Sequence, residues 1–175
     1  MANISNLKVA AGSLVTFGGV DLGHTVDGAE LEIERELTEV KTDLYGNTPV
    51  DYVLTGQVAT IKLKLAEITP GTLAYVAPEA DWDVGSTDDH VHFGTNAGYS
   101  LRDDALELVI TPQGGNSDGN LTLTLFKAVS TDNVTLAYKI DEQSVFEVTF
   151  TALVDESRNA TDGRLLGRMG PADIS

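Results

Sequence analysis

Polar and apolar residues alternate along much of this chain, and most regularly in two charged segments between Gly28 and Glu67. Ala59-Thr60-Ile61-Lys62-Leu63-Lys64-Leu65 has the period-two pattern of a strand with one buried face. Glu30-Leu31-Glu32-Ile33-Glu34-Arg35-Glu36-Leu37 also alternates, with glutamates on one parity and mainly apolar residues on the other; Arg35 is the one break. Paired as a hairpin, the two segments bring Glu30, Glu32, Glu34 and Glu36 near Lys62 and Lys64 on a single face. Opposite charges across neighbouring strands contribute about 0.2–1 kcal/mol each, so they set register more than stability. The first segment also carries a helical stripe, Ile33, Leu37, Val40 and Leu44, behind a capping-box pattern at Asp27-Gly28-Ala29-Glu30. Local signals alone place helix slightly ahead of strand there.

Between the two segments lies a long loop, residues 41–56. Its Leu44, Tyr45, Val50, Tyr52, Val53 and Leu54 are too apolar for a loop left in water. Upstream, Leu14-Val15-Thr16-Phe17 reads as a short strand ended by Gly18-Gly19, and Val20 to Thr25 as a turn-rich extension containing a surface His24. Downstream, Thr69 as cap, Pro70 in the first turn and Pro78 as stop predict a two-turn helix near 70–77, its Leu73, Val76 and Ala77 lying on a sheet. Further strands are expected at Ala105–Ile110, Leu121–Phe126, Val134–Tyr138 and Ser144–Val154. Seven or eight strands with one short helix predict an all-β domain, a β-sandwich or partly closed barrel over residues 1–155. Residues 156–175 form a polar, Gly-rich C-terminal arm carrying Arg158, Arg164 and Arg168. The arm is either a frayed tail or a segment that orders against another subunit.

The 175 residues suit one domain with a real core, and no apolar run approaches the ~18–20 residues that span a bilayer. The N-terminus has no secretory pattern, so a cytosolic product is expected. Cysteine is absent, which excludes disulfides, thiolate metal sites and a cysteine nucleophile. The net charge of −16 argues against nucleic-acid binding, which needs clustered Lys and Arg. It suits simple solubility, or a surface that stays near polyanions without adhering to them.

Little chemistry is encoded. GxSxG, HExxH, the Rossmann glycine fingerprint and the phosphate-binding GxxxxGK[ST] are all missing, and no enzyme activity or cofactor is expected. Residues 79–104 read as an Asp- and Gly-rich loop; Asp81-Trp82-Asp83-Val84-Gly85 starts like a calcium loop but places His92 where a bidentate Glu belongs. His90 and His92 would share one strand face, yet two histidines without a third ligand do not define a metal site. Trp82 is read as a core or subunit-contact residue.

Several stretches together carry a family likeness. They are Phe17-Gly18-Gly19-Val20-Asp21-Leu22-Gly23, Tyr45-Gly46-Asn47-Thr48-Pro49-Val50-Asp51, Leu65-Ala66-Glu67, Gly98-Tyr99-Ser100-Leu101, Leu108-Val109-Ile110-Thr111-Pro112 and Phe146 to Asp155. The chain resembles the major tail tube protein of long, non-contractile-tailed bacteriophages over most of residues 14–155. The resemblance implies a structural virion protein whose hexameric rings stack into a tube. Inner strands from each copy would complete one ring-spanning β-barrel, and DNA would pass through without specific binding. It also implies other phage tail proteins at the tube ends, no membrane partner, and a 41–56 loop that reaches the neighbouring ring. With this context the 30–37 segment is expected as a strand, with Glu30, Glu32, Glu34, Glu36, Lys62 and Lys64 facing the lumen. Leu31, Ile33, Ile61, Leu63 and Leu65 would then face the core, while Arg35 reaches a carboxylate at a sheet margin or on a neighbour. A carbohydrate- or calcium-binding β-sandwich is the alternative.

Overall fold

The computed structural model describes residues 13–77, 79–85, 89–94, 97–113, 119–136 and 144–171. The fold is mainly β, as the alternation predicts, with ten strands and one α-helix among those residues. The strands are β1 (Ser13–Phe17), β2 (Val20–Val40), β3 (Asp51–Leu65), β4 (Asp81–Val84), β5 (Asp89–His92), β6 (Leu106–Pro112), β7 (Leu123–Ser130), β8 (Thr135–Leu136), β9 (Phe146–Ala152) and β10 (Gly167–Met169). Eight of them form one antiparallel sheet in the order β10-β7-β6-β1-β2-β3-β9-β8, and a further β7–β9 pairing curls it back on itself. Six strands thereby close a ring, at the Ala128↔Ala152 to Ser130↔Phe150 corner.

The core lies inside that ring, built from the inward parity of each strand: Val15 and Phe17, Ile61, Leu63 and Leu65, Leu108 and Ile110, Leu125, then Phe146, Val148 and Phe150. Phe17 and Phe150 meet with ring centroids 5.0 Å apart. The predicted helix is α1 (Pro70–Val76), with Pro70 in its first turn. The Thr69 hydroxyl accepts from the Thr72 amide at 3.0 Å. Val76 and Ala77 are buried and Leu73 packs against the core; Pro78 lies outside the described residues.

The 30–37 segment is a strand. Fourteen residues between Thr25 and Val40 pair in register with residues of β3, and each rung satisfies backbone groups that a lone helix would satisfy only locally. Two expectations nearby are corrected. Val20 to Thr25 is no turn-rich extension but the start of β2, bonded to β1. The loop is not 41–56: both strands run on, Leu37 pairing Leu54 and Val40 pairing Asp51, so the connection is 41–50 with a 3-10 turn at Asp43–Tyr45. The expected loop at 79–104 also holds structure, a β4–β5 hairpin whose Trp82 packs edge-on to Tyr75 of α1. Asp81 and Asp83, which begin the calcium-loop-like stretch, sit in a strand.

The frayed-tail expectation fails through Gly170. β10 pairs with β7, and the bonds Phe126 N→Leu166 O, Asp155 N→Leu165 O and Gly170 N→Thr122 O stitch residues 165–170 to their own chain.

Candidate functional site

The hairpin β2–β3 outgrows the body that supports it. On its outer side β2 pairs with β1 only up to His24, and β3 pairs with β9 only from Thr60 onward. Beyond those points the two strands bond only to each other. A two-stranded ribbon with two open backbone edges is marginally stable in water and offers itself to further strands.

The proximal half of the ribbon carries the charge. Glu30, Glu32, Glu34 and Glu36 stand opposite Lys62, Thr60, Val58 and Gly56, so all four share the face of Lys62. All are exposed. Lys62 bonds diagonally to Glu32 at 2.8 Å, and Lys64 reaches Asp27 at 3.2 Å with Glu147 at 3.7 Å. The Glu32 hydrogen bond and charge raise the Lys62 pKa above the ordinary lysine value; Asp27, then Glu147, do the same for Lys64. The lysines are therefore firmly cationic, yet too few to neutralise the face. Asp27 owes its position to a bulge between Val26 and Ala29, where Asp27 (φ 63°) and Gly28 (φ 78°) both take left-handed backbone angles.

On the opposite face the expectation of burial is met by Ile61, Leu63 and Leu65 but not by Leu31 and Ile33, which are 36% and 50% exposed. They do share the inward parity, Leu31 facing Ile61 and Ile33 facing Ala59. A groove of about 390 Å³ separates them from Leu123 and Leu125 of β7 and Met169 of β10, so the right parity still leaves them exposed. Arg35 lies beside Gln57 and makes no ion pair among the described residues.

The distal half changes character at a second bulge, between Glu36 and Leu37 in the register, where Thr55 is the extra residue on β3. Beyond it Leu37, Leu54 and Tyr52 line one face while Val40 and Val53 line the other. Leu44, Tyr45 and Val50 occupy the tip, and all of these are exposed, Leu44 by 82%. The polar exceptions are local: Tyr52 donates to Glu39 at 3.3 Å and Lys41 lies 2.5 Å from Glu39. Lys41 lowers the Glu39 pKa, and the Glu39 charge raises that of Tyr52. Of the apolar residues expected in a long loop, Tyr52, Val53 and Leu54 are thus strand residues, and only Leu44, Tyr45 and Val50 belong to the tip.

Two of the three arm arginines are engaged within their own chain. The Arg158 and Arg168 guanidiniums approach the Phe126 ring, 3.4 and 5.8 Å from its centroid. Arg158 Nε also donates to Asp155 at 3.2 Å. Asp155 is buried and takes the Ser157 hydroxyl at 2.7 Å and the Ser157 amide at 3.2 Å, with Lys127 3.9 Å away. The Ser157 hydroxyl does most to hold its carboxyl below the usual range, helped by the Ser157 amide, Lys127 and Arg158 and opposed by burial. Arg164 is exposed. Sequence reasoning missed Phe126 because it acts only through contacts across the fold, and Asp155 although its partners Ser157 and Arg158 are local.

His90 and His92 do stand on one strand, ring centroids 6.4 Å apart, opposite Asp83 and Asp81. Among the described residues no three His, Asp or Glu side chains are placed to hold a metal. No helix among them is long and apolar enough to cross a membrane.

No family model and no curated protein sequence matches this chain.

Proposed function

We propose that this chain is a self-assembling structural protein, a phage tail tube subunit whose rings, hexameric by family likeness, stack into a channel for DNA delivery. The observation that carries the reading is the projecting β2–β3 ribbon. It has unpaired edges along both strands and apolar residues on both faces of its distal half. A lone monomer leaves those groups in water, whereas neighbouring copies that add strand to strand remove the edges by closing a barrel. In such a barrel the Glu30, Glu32, Glu34 and Glu36 face points to the bore and Leu31 and Ile33 point toward the protein wall. Duplex DNA carries about one negative charge per ~1.7 Å of axis, so a cationic wall would hold it. An acidic wall keeps it off the surface within a Debye length of ~8 Å at physiological salt. Lys62 and Lys64 temper the repulsion among copies, and Arg35 is placed to meet a carboxylate of a neighbour.

Negative-stain microscopy of concentrated protein tests this directly. Rings or filaments with a central channel are expected; a protein that stays monomeric at every salt and concentration would remove the proposal.

A further inference from the structure

We propose that residues 4–11, upstream of β1, continue that strand along the open edge of β2 in the same chain, and so cap an edge to which another strand could add. The capping contact stands on the fold alone; its effect on association rests on the self-assembly reading above. β1 enters the sheet with Leu14 opposite His24 of β2 and Ser13 opposite Pro112 of β6. Past His24, β2 keeps β3 on one side and has no partner on the other among the described residues. Such a bare edge invites pairing with any extended chain nearby. Twelve residues precede Ser13 in the sequence. Extended, they reach about 40 Å, the length of β2 from Thr25 to Glu36. No loop is needed, because a chain that runs back from Ser13 in the line of β1 is already antiparallel to β2.

Register identifies the occupant. Each step back from Leu14 is one step forward from His24, which sets Ser13 against Thr25 and Gly12 against Val26. Asp27 and Gly28 then bulge out, as they do from β3, where Val26 opposite Lys64 is followed by Ala29 opposite Leu63. Ala11 thereby meets Ala29, Val9 meets Leu31, Lys8 meets Glu32 and Leu7 meets Ile33. The apolar pairs share the side of the sheet that carries the buried Val15, Ile61 and Leu63. Leu31 is 36% exposed and Ile33 50%, so both still have apolar surface to give to a neighbouring strand. Lys8, the only charged side chain among residues 1–12, falls among the glutamates, with Glu30 and Glu34 on its diagonals. A slip of one residue would set Leu7 and Val9 against glutamates and Lys8 against Leu31 or Ile33, so the match holds in one register. A strand from another copy needs the same row of backbone groups. The segment therefore guards the edge in free copies and must be displaced before that edge is shared.

Disulfide trapping in the full chain tests the register, since the chain has no cysteine of its own. Successive rungs of an antiparallel pair alternate between a wide and a close geometry, so two double variants cover both: Lys8→Cys with Glu32→Cys, and Val9→Cys with Leu31→Cys. On oxidation in dilute solution at least one should close within a single chain, read as the monomer mass less two hydrogens. The out-of-register control, Lys8→Cys with Ile33→Cys, should stay reduced. As a second readout, Leu7→Asp with Val9→Asp should speed hydrogen exchange roughly tenfold or more at those β2 amides between Ala29 and Glu36 that do not bond β3. Unchanged protection at Leu108 and Phe150 verifies that the body is folded. The same variant should shorten the lag before light scattering rises. Failure of both pairs to close, closure only between chains, or unchanged exchange at the β2 edge would each overturn the cap; closure between chains would move the segment to a second copy. If the cap is found and wild type never assembles, the self-assembly reading falls and the contact stands. If wild type assembles and the aspartate variant assembles no faster, the guarding role falls.

Discussion

Asp155 shows how a single carboxylate fastens a terminal segment. Its hydrogen bonds to Ser157 and Arg158 stabilise the ionised form, so its pKa is lowered in the fold. The associated stability is present above the ordinary carboxylate pKa and is lost as pH falls through the lower folded value. Asp155→Asn should therefore loosen residues 156–170 at neutral pH, much as strong acid does to wild type. The expected result is faster hydrogen exchange at the Phe126 and Gly170 amides, which bond across that seam. Equal protection in both proteins would leave Asp155 without this role. Gly28 makes a second case. Its φ of 78° is open to glycine, and an added Cβ meets nothing within 4 Å, so Gly28→Ala should cost only the backbone strain, about 1 kcal/mol, read from chemical denaturation.

At the scale of the element, the ribbon is two devices in series. Up to Glu36 it is a charged sheet continued from the body; past the Thr55 bulge it is apolar on both faces. Such a tab is stable only between other surfaces. Deleting residues 44–53 should leave the melting temperature of the body within a degree or two of wild type while abolishing filaments. Filaments at normal yield would show that the ribbon has another task. Proline at Ile61 or Leu63 is no test of subunit pairing. Both residues are buried and pair on two sides, Ile61 with Leu31 and Phe150, Leu63 with Ala29 and Val148. A proline there removes a ladder donor inside the ring of strands and should unfold the monomer itself.

For the whole molecule, a net charge of −16 sets the terms of association. Copies repel one another, and added salt screens that repulsion, so assembly should be faster at about 0.5 M than at about 0.05 M salt, as measured by light scattering. The opposite salt dependence would point to ion pairs, and not apolar burial, as the main driving force. Changing Glu30, Glu32, Glu34 and Glu36 to lysine should permit filaments in high salt yet make them retain duplex DNA in a salt-sensitive way, detectable by co-sedimentation. Mutant filaments that ignore DNA would place those side chains away from the bore. Thermal melting with calcium separates the alternative binding-module reading, because a calcium site raises the melting temperature in step with ligand excess.

The alternation of residues 59–65 by itself determined that this stretch has one polar and one apolar face, because a strand's side chains change sides at every residue, whereas the competing helical stripe in 30–37 was decided only by pairing with β3. The cap and proline at Thr69 and Pro70 likewise determined the helix, since both act within one turn. Fold class was legible for the same reason: it follows from local periods repeated along the chain. Where strands end was not. Tyr52, Val53 and Leu54 looked like loop because no local signal says that Leu37, Thr38 and Glu39 will pair with them. Leu31 and Ile33 carry the core parity yet stay exposed, because burial depends on how closely the facing strands approach, and β7 and β10 leave a groove there. The seating of the C-terminal segment on Phe126 was equally out of reach of the sequence. Side chains as distant along the chain as Phe126 and Arg168 meet there only because β10 pairs with β7, so that contact belongs to the tertiary structure alone.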